Sequence, residues 1–165
     1  MVHNLDPVLI NLGFIKIHWY SLAYIFGILF GWWYGRFIIK KKVKAKDKEN
    51  YIRNFDDLIS YIIIGVIVGG RLGYVIFYNY SYFIEQPVEI FKLWEGGMSF
   101  HGGLIGVIIS TYIFSKLKKL NYKIYFDVIC CVAPIGIFLG RVANFINSEL
   151  YGIPTEKPWG IVFPK

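Results

Sequence analysis

The chain has 165 residues, 56% of them hydrophobic and 19% aromatic, with 18% charged and a formal net charge of +7 at pH 7. Soluble domains run at roughly 45–50% apolar, and disordered chains lie well below that, so disorder is excluded. The two cysteines are neighbours, Cys130 and Cys131, which excludes a disulfide scaffold and leaves a membrane protein or an unusually apolar globule.

The apolar residues gather in four stretches, 17–34, 58–77, 97–114 and 124–146. Each is close to the ~20 residues that a helix needs to cross ~30 Å of hydrocarbon. A soluble fold would lack the polar surface to cover four such helices. The predicted fold is therefore all-α, a polytopic transmembrane bundle of four spans forming a single transmembrane domain over 1–165. The first stretch follows one lysine, Lys16, with no basic n-region and no small-residue cleavage site after it, so it reads as a retained span rather than a signal peptide.

Charge placement sets the expected topology. Eight basic residues lie between Arg36 and Arg53 and four between Lys116 and Lys123, so twelve of the eighteen fall in the first and third connections. The second connection, 78–96, has Lys92 against Glu85, Glu89 and Glu95. This alternation puts the N-terminus outside, connections one and three in the cytoplasm and the segment after Ile146 outside. The lysine run then reads as a topology determinant and anionic-lipid contact, not as a nucleic-acid site.

Every span carries glycines at i, i+4: Gly27/Gly31/Gly35, Gly65/Gly69/Gly73, Gly102/Gly106 and Gly136/Gly140. Helices in lipid associate by close approach rather than by hiding apolar faces, so these predict a tightly packed bundle. Aromatics near the span ends, such as Trp19, Trp32 and Trp94, read as interfacial belts. Cys130 and Cys131 are expected as buried, reduced thiols; no further cysteine or nearby histidine completes a metal site, and no cofactor is implied.

Polar residues inside the spans carry the functional signal. An arginine at mid-bilayer costs about 2.5–3.5 kcal/mol on insertion scales, so one that is kept usually faces a polar cavity. Arg71 in the second span and Arg141 in the fourth meet that description. Snorkelling to the nearer interface is the plain alternative for each. On the expected topology, His18 and Tyr20, Arg71, His101, and Arg141 with Asn144, Asn147 and Glu149 all lie near the outer leaflet. Arg141, Asn144 and Ser148 recur at i, i+3 and i+7 and are expected on one helix face. A guanidinium offers a planar fork of donors suited to phosphate oxygens, so the group suits an anionic lipid headgroup. A small anion channel or exporter, with Arg71 and Arg141 lining the path, is the competing class.

Gly140-Arg141-Val142-Ala143-Asn144-Phe145-Ile146-Asn147-Ser148-Glu149-Leu150-Tyr151-Gly152 resembles the signature of bacterial prolipoprotein diacylglyceryl transferases, G-R-x-x-N-F-x-N-x-E-x-x-G, with every fixed position filled. His18-Trp19-Tyr20, Gly69-Gly70-Arg71-Leu72-Gly73-Tyr74 and Gly97-Met98-Ser99-Phe100-His101-Gly102-Gly103-Leu104 resemble further blocks of that family, in its order. The resemblance covers nearly the whole chain. It implies a bacterial inner-membrane enzyme that moves the diacylglyceryl group of phosphatidylglycerol onto the lipobox cysteine thiol of prolipoprotein signal peptides, the first step of lipoprotein maturation. By position it implies Arg141 as the phosphatidylglycerol-binding arginine, Tyr20 and Asn144 as essential, and His101, Glu149 and Gly152 as important. Arg71 is expected at the substrate as well. A base or a positive field must raise the thiolate fraction of the accepting cysteine, and His101 and an arginine-organised field both stand as candidates. Family members have about seven spans, including a second essential arginine, so the resemblance implies an N-terminal portion; a non-catalytic half-protein is the alternative.

Overall fold

A computed structural model describes residues 2–13 and 16–163; the last two positions of the segment expected outside, Pro164 and Lys165, lie beyond the described residues. The elements in chain order are strands β1 (Val8–Asn11) and β2 (Lys16–His18), then helices α1 (Trp19–Lys42), α2 (Ala45–Phe77), α3 (Tyr80–Glu85), α4 (Phe100–Leu117) and α5 (Tyr122–Ile146). Two 3-10 turns, Pro87–Phe91 and Leu93–Glu95, lie between α3 and α4. Four of these helices, α1, α2, α4 and α5, are long and apolar enough to cross a membrane. Their outward faces are apolar, with Ile25, Phe26, Leu29, Ile64, Val68 and Ile109 all exposed. Apolar faces of this extent suit lipid as the solvent, and helices satisfy their own backbone polar groups there.

The helices overrun the expected spans at the charged connection. α1 continues to Lys42 and α2 begins at Ala45, so the lysine-rich segment breaks helix only at Val43 and Lys44. Lysine, glutamate and alanine are good helix formers, and propensity carries the helix through a stretch whose charge had marked it as a connection. Lys40, Lys41 and Lys42 fill the last turn of α1, where cations complement the helix dipole. α2 is 33 residues, about 50 Å at 1.5 Å per residue, and so is longer than ~30 Å of hydrocarbon. The β1–β2 hairpin is a further addition to the sequence reading, paired antiparallel with Val8 opposite His18 and Asn11 opposite Lys16. Its local signals are Asp6, whose carboxylate accepts from the Val8 N–H (2.8 Å), and Asn11, whose side chain accepts from the N–H of Gly13, at φ +84°.

The chain forms two compact units, Arg36–Ile129 and Met1–Gly35 with Cys130–Lys165. In the first, α2 and α4 run antiparallel in backbone contact. A Cβ added to Gly65 would lie 2.6 Å from the Gly106 carbonyl oxygen, one on Gly69 2.9 Å from Gly106 Cα, and one on Gly73 2.8 Å from Gly102 Cα. The buried core of this unit is Ile39, Ile52, Phe55, Leu58, Phe114, Tyr125 and Val128. The Tyr125 hydroxyl donates to the Tyr51 carbonyl (3.1 Å), and Arg36 pairs with Asp56 (2.9 Å) at its margin.

In the second unit α1 and α5 approach less closely. A Cβ on Gly27 would make an ordinary 3.5 Å contact with Gly136 Cα, while Cβ atoms on Gly136 and Gly140 would meet nothing within 4 Å. The small-residue groove expected in every span is thus used by α2 and α4, and in α5 the glycine Cβ directions point to open space. Cys130 and Cys131 are free and exposed on α5 rather than buried in protein; adjacent helical positions lie about 100° apart, and this stretch of α5 turns both outward.

These contacts predict opposite effects for two glycine substitutions. Gly69→Ala forces a methyl into the α4 backbone and should lower stability by about 1–3 kcal/mol. Gly136→Ala should be neutral or gain about 0.5–1 kcal/mol from helix propensity. Thermal unfolding in detergent measures both, and equal midpoints would contradict the interface described.

Candidate functional site

The end of α5 is built by a helix stop. Ser148 adopts φ 57° and Leu150 φ 51°, both left-handed. The Ser148 N–H donates to the Phe145 carbonyl (3.1 Å) and the Glu149 N–H to the Asn144 carbonyl (2.8 Å). This is a Schellman cap, normally closed by glycine and here by serine. It takes Ser148 off the helix, so the predicted face of Arg141, Asn144 and Ser148 does not form. The cap instead brings Glu149 back over the last turn.

Three of the sequence-predicted residues meet there. Asn144, 8% exposed, points its Nδ2 at the Tyr20 hydroxyl (3.4 Å) and Glu149 Oε2 (3.3 Å). Asn147 Nδ2 lies 3.4 Å from Glu149 Oε1. These are long hydrogen bonds, beyond the 2.7–3.2 Å usual for N–H···O, and the carboxylate is exposed. Arg141 is exposed one turn earlier on α5 and makes no hydrogen bond or ion pair among the described residues. Gly152 is exposed, its φ is not left-handed, and a Cβ there would meet none of the described residues within 4 Å.

His3 is a residue that sequence reasoning missed. It is buried at 6% exposure, with Nδ1 3.1 Å from Ser148 Oγ and its ring edge-on to Phe145 at 5.0 Å. Its backbone N–H donates to the Val162 carbonyl (2.9 Å), so segments from both ends of the chain close over the signature turn. No local motif marks it, because the contact spans 145 residues of sequence.

The unit of α2 and α4 holds Arg71 and His101. Arg71 is 6% exposed. Its Nε donates to the Ile90 carbonyl (2.8 Å), Nη2 to Glu89 (2.7 Å) and Lys92 (3.1 Å), and Nη1 to Gly96 and Gly97 (3.2 Å to the latter). A guanidinium has five N–H donors, and all are taken by backbone carbonyls of the second connection. The sequence reading expected these donors to face substrate; the structure turns them to the loop. Phe83 lies under the guanidinium, 5.2 Å from ring centroid to Cζ. A cleft of about 130 Å³ opens beside it, lined by Tyr74, Asn79, Tyr82 and Glu89 among others. In the same connection Lys92 bonds the Glu89 carboxylate, and this hydrogen bond pushes its pKa above the ordinary lysine value. His101 is exposed in the first turn of α4, its ring edge-on to Phe100, and the Ser99 hydroxyl caps that helix by accepting from the Gly102 N–H (3.2 Å).

Fold and site define a multi-pass helical membrane protein with a polar, carboxylate-bearing cluster at a helix end. The chain belongs to the prolipoprotein diacylglyceryl transferase family, whose model matches residues 7–165. It is 52% identical over 162 residues to the phosphatidylglycerol--prolipoprotein diacylglyceryl transferase of Rickettsia bellii (strain OSU 85-389), a match covering 98% of this chain and 60% of the relative. The enzyme of the same name from Rickettsia canadensis (strain McKiel) is 50% identical over 161 residues, with 98% and 61% covered. That of Rickettsia typhi (strain ATCC VR-144 / Wilmington) is 51% identical over the same span. The chain therefore spans about 60% of the length of the curated relatives it matches.

The cluster predicts an unequal response at Asn144. Asn144→Ala removes a donor whose partners, Tyr20 and Glu149, can turn to solvent, and should cost about 0.5–1.5 kcal/mol. Asn144→Asp sets a second carboxylate against Glu149 and should cost more at neutral pH. Thermal unfolding in detergent at pH 7 tests this, and an Asp variant as stable as the native protein would contradict the Asn144–Glu149 contact.

Proposed function

We propose that this chain provides part of an enzyme that transfers the diacylglyceryl group of phosphatidylglycerol to the lipobox cysteine thiol of a prolipoprotein. It does so in a bacterial inner membrane, with the N-terminus outside and the chemistry near the outer leaflet. In that reaction a C–S bond forms at the glyceryl carbon, the C–O bond to phosphate breaks, the thiol proton passes to a base, and glycerol phosphate leaves. The names of the curated relatives and the family match support the reaction class. The bias of basic residues to connections one and three supports the orientation.

The observation that carries the reading is the state of the two arginines. Arg71 has its donors engaged by carbonyls, whereas Arg141 is exposed and unpaired among the described residues, one turn before Asn144 on α5. Arg141 takes the lipid phosphate, because a planar cationic fork matches phosphate oxygens and stabilises the charge that develops on the leaving group. Asn144 has its Nδ2 turned to Tyr20 and Glu149, which leaves Oδ1 to accept from a glycerol hydroxyl of the lipid. Glu149 orients Asn144 and Asn147, and the two long hydrogen bonds it accepts leave room to tighten around a ligand. His101, exposed in the first turn of α4, is one candidate for the thiol proton, and a positive field that lowers the thiol pKa is the other. An anion channel lined by both arginines finds no support in an Arg71 whose donors face the loop.

Arg141→Lys in the complete protein keeps the charge and loses the fork, and should retain weak activity. Arg141→Ala should lower transfer by at least about 100-fold, the scale of losing one charged oxyanion partner, with the loss visible in lipid binding as well as turnover, since the phosphate is anionic before and after cleavage. Lys46→Ala, on the charged stretch at the start of α2, should leave transfer unchanged. The assay follows labelled diacylglyceryl from phosphatidylglycerol to a lipobox peptide in detergent micelles. Near-native transfer by Arg141→Ala would put the phosphate elsewhere.

A further inference from the structure

Arg71 is buried, and among the described residues no carboxylate lies on its guanidinium. Its charge is met by the carbonyl dipoles of Glu89, Ile90, Lys92, Gly96 and Gly97, two 3-10 turns and the two glycines that follow them. The hydrogen bonds within this connection are short-range, such as Glu89 N–H to the Gln86 carbonyl and Gly96 N–H to the Leu93 carbonyl, whereas the guanidinium ties carbonyls from 89 to 97 to one point on α2. The neighbouring residue on α2 completes the attachment: the Gly70 carbonyl accepts from the Ser99 N–H (2.9 Å), and Ser99 is the N-cap of α4. The Met98 side chain lies over Gly70, where a Cβ would stand 2.6 Å from Met98 Cε. Two consecutive residues of α2 thus hold 89–99 from the side on which α4 begins, two residues before His101.

We propose that Arg71 is a positioning residue for the transferase reaction: by binding five carbonyls of the second connection it fixes the start of α4 and with it the placement of His101. The inference rests on the function proposed above, and it differs from a lipid-binding role for Arg71 in what each predicts. A lipid ligand contributes to the affinity for phosphatidylglycerol. A positioning residue leaves that affinity in place and lowers turnover, because misplacing a reacting group by about 1 Å costs up to ~100-fold. Lysine cannot replace it, having one short ammonium where five donors fan across 89–97.

Gly97 offers the same test from the loop side. It sits at φ +83°, and a Cβ there would stand 2.9 Å from Arg71 Nη1 and 2.8 Å from Tyr74 Cδ1. Gly97→Ala therefore crowds the Tyr74 ring and the guanidinium and strains the backbone that the guanidinium binds, while leaving Arg71 in place.

The experiment takes the complete protein in detergent, native, Arg71→Lys and Gly97→Ala. It measures kcat and KM for phosphatidylglycerol with a lipobox peptide, together with amide hydrogen exchange over 86–99. Both variants should lower kcat by about 10- to 100-fold with KM within about twofold, and both should speed exchange in 86–99 while the middle of α2 stays protected. A raised KM with kcat intact would make Arg71 a lipid ligand and overturn the proposal. Faster exchange with both constants unchanged would overturn it too, since the order supplied would not reach the reaction. Should Arg71→Lys fail to accumulate, Gly97→Ala alone decides by the same criteria. Absence of transfer by the native protein would be a failure of the proposed function, and the exchange measurement would still show whether Arg71 orders the connection.

Discussion

A guanidinium inside an apolar helix bundle must find acceptors, and this requirement organises the part of the chain around α2 and α4. Arg71 solves it with main-chain carbonyls. Every acceptor comes from one connection, so the cation that would be costly on an isolated span becomes the point to which an irregular loop is tied. Arg141 carries the same chemistry and no such solution among the described residues. One arginine is spent on the fold, and the other is left with its charge available to a ligand.

That division depends on how closely α2 and α4 approach. Lipid gives two helices little reason to associate through apolar side chains, so backbone proximity supplies the contact. Gly65, Gly69 and Gly73 face Gly102 and Gly106, and each Cβ that glycine omits would stand against the opposite backbone. The approach brings the Ser99 N–H within reach of the Gly70 carbonyl, beside the Arg71 that holds the preceding connection. At the end of α5 the corresponding work is done by a cap. Serine in a left-handed conformation, held by His3, folds Glu149 onto Asn144. Strain of this kind persists where the surroundings over-determine it, and here they include Phe145 and Phe163 on the His3 ring.

Much of this was legible from residue order. The four spans follow from apolar run length, and α2–α4 contact from glycine spacing, because both signals are local and strong. The helical continuation through Lys40–Lys48 was not, since charge marked it as a connection while propensity made it helix. Tyr20, Asn144 and Glu149 were named from motifs and do converge. Periodicity failed at Ser148, where the cap interrupts the helix two residues after Ile146. The role of Arg71 was hidden because its partners are carbonyls, which every sequence has and none advertises. His3 was hidden because its contact joins positions near the two ends of the chain.

The proposed site for the phosphate of phosphatidylglycerol is the end of α5, at Arg141 one turn before the Tyr20–Asn144–Glu149 cluster. The most direct measurement is photolabelling of the complete protein with a phosphatidylglycerol bearing a photoreactive group on its headgroup glycerol, followed by peptide mapping. Adducts should fall within 141–152 and be suppressed by unlabelled phosphatidylglycerol. Adducts confined to the 86–97 connection, with none in 141–152, would contradict the account.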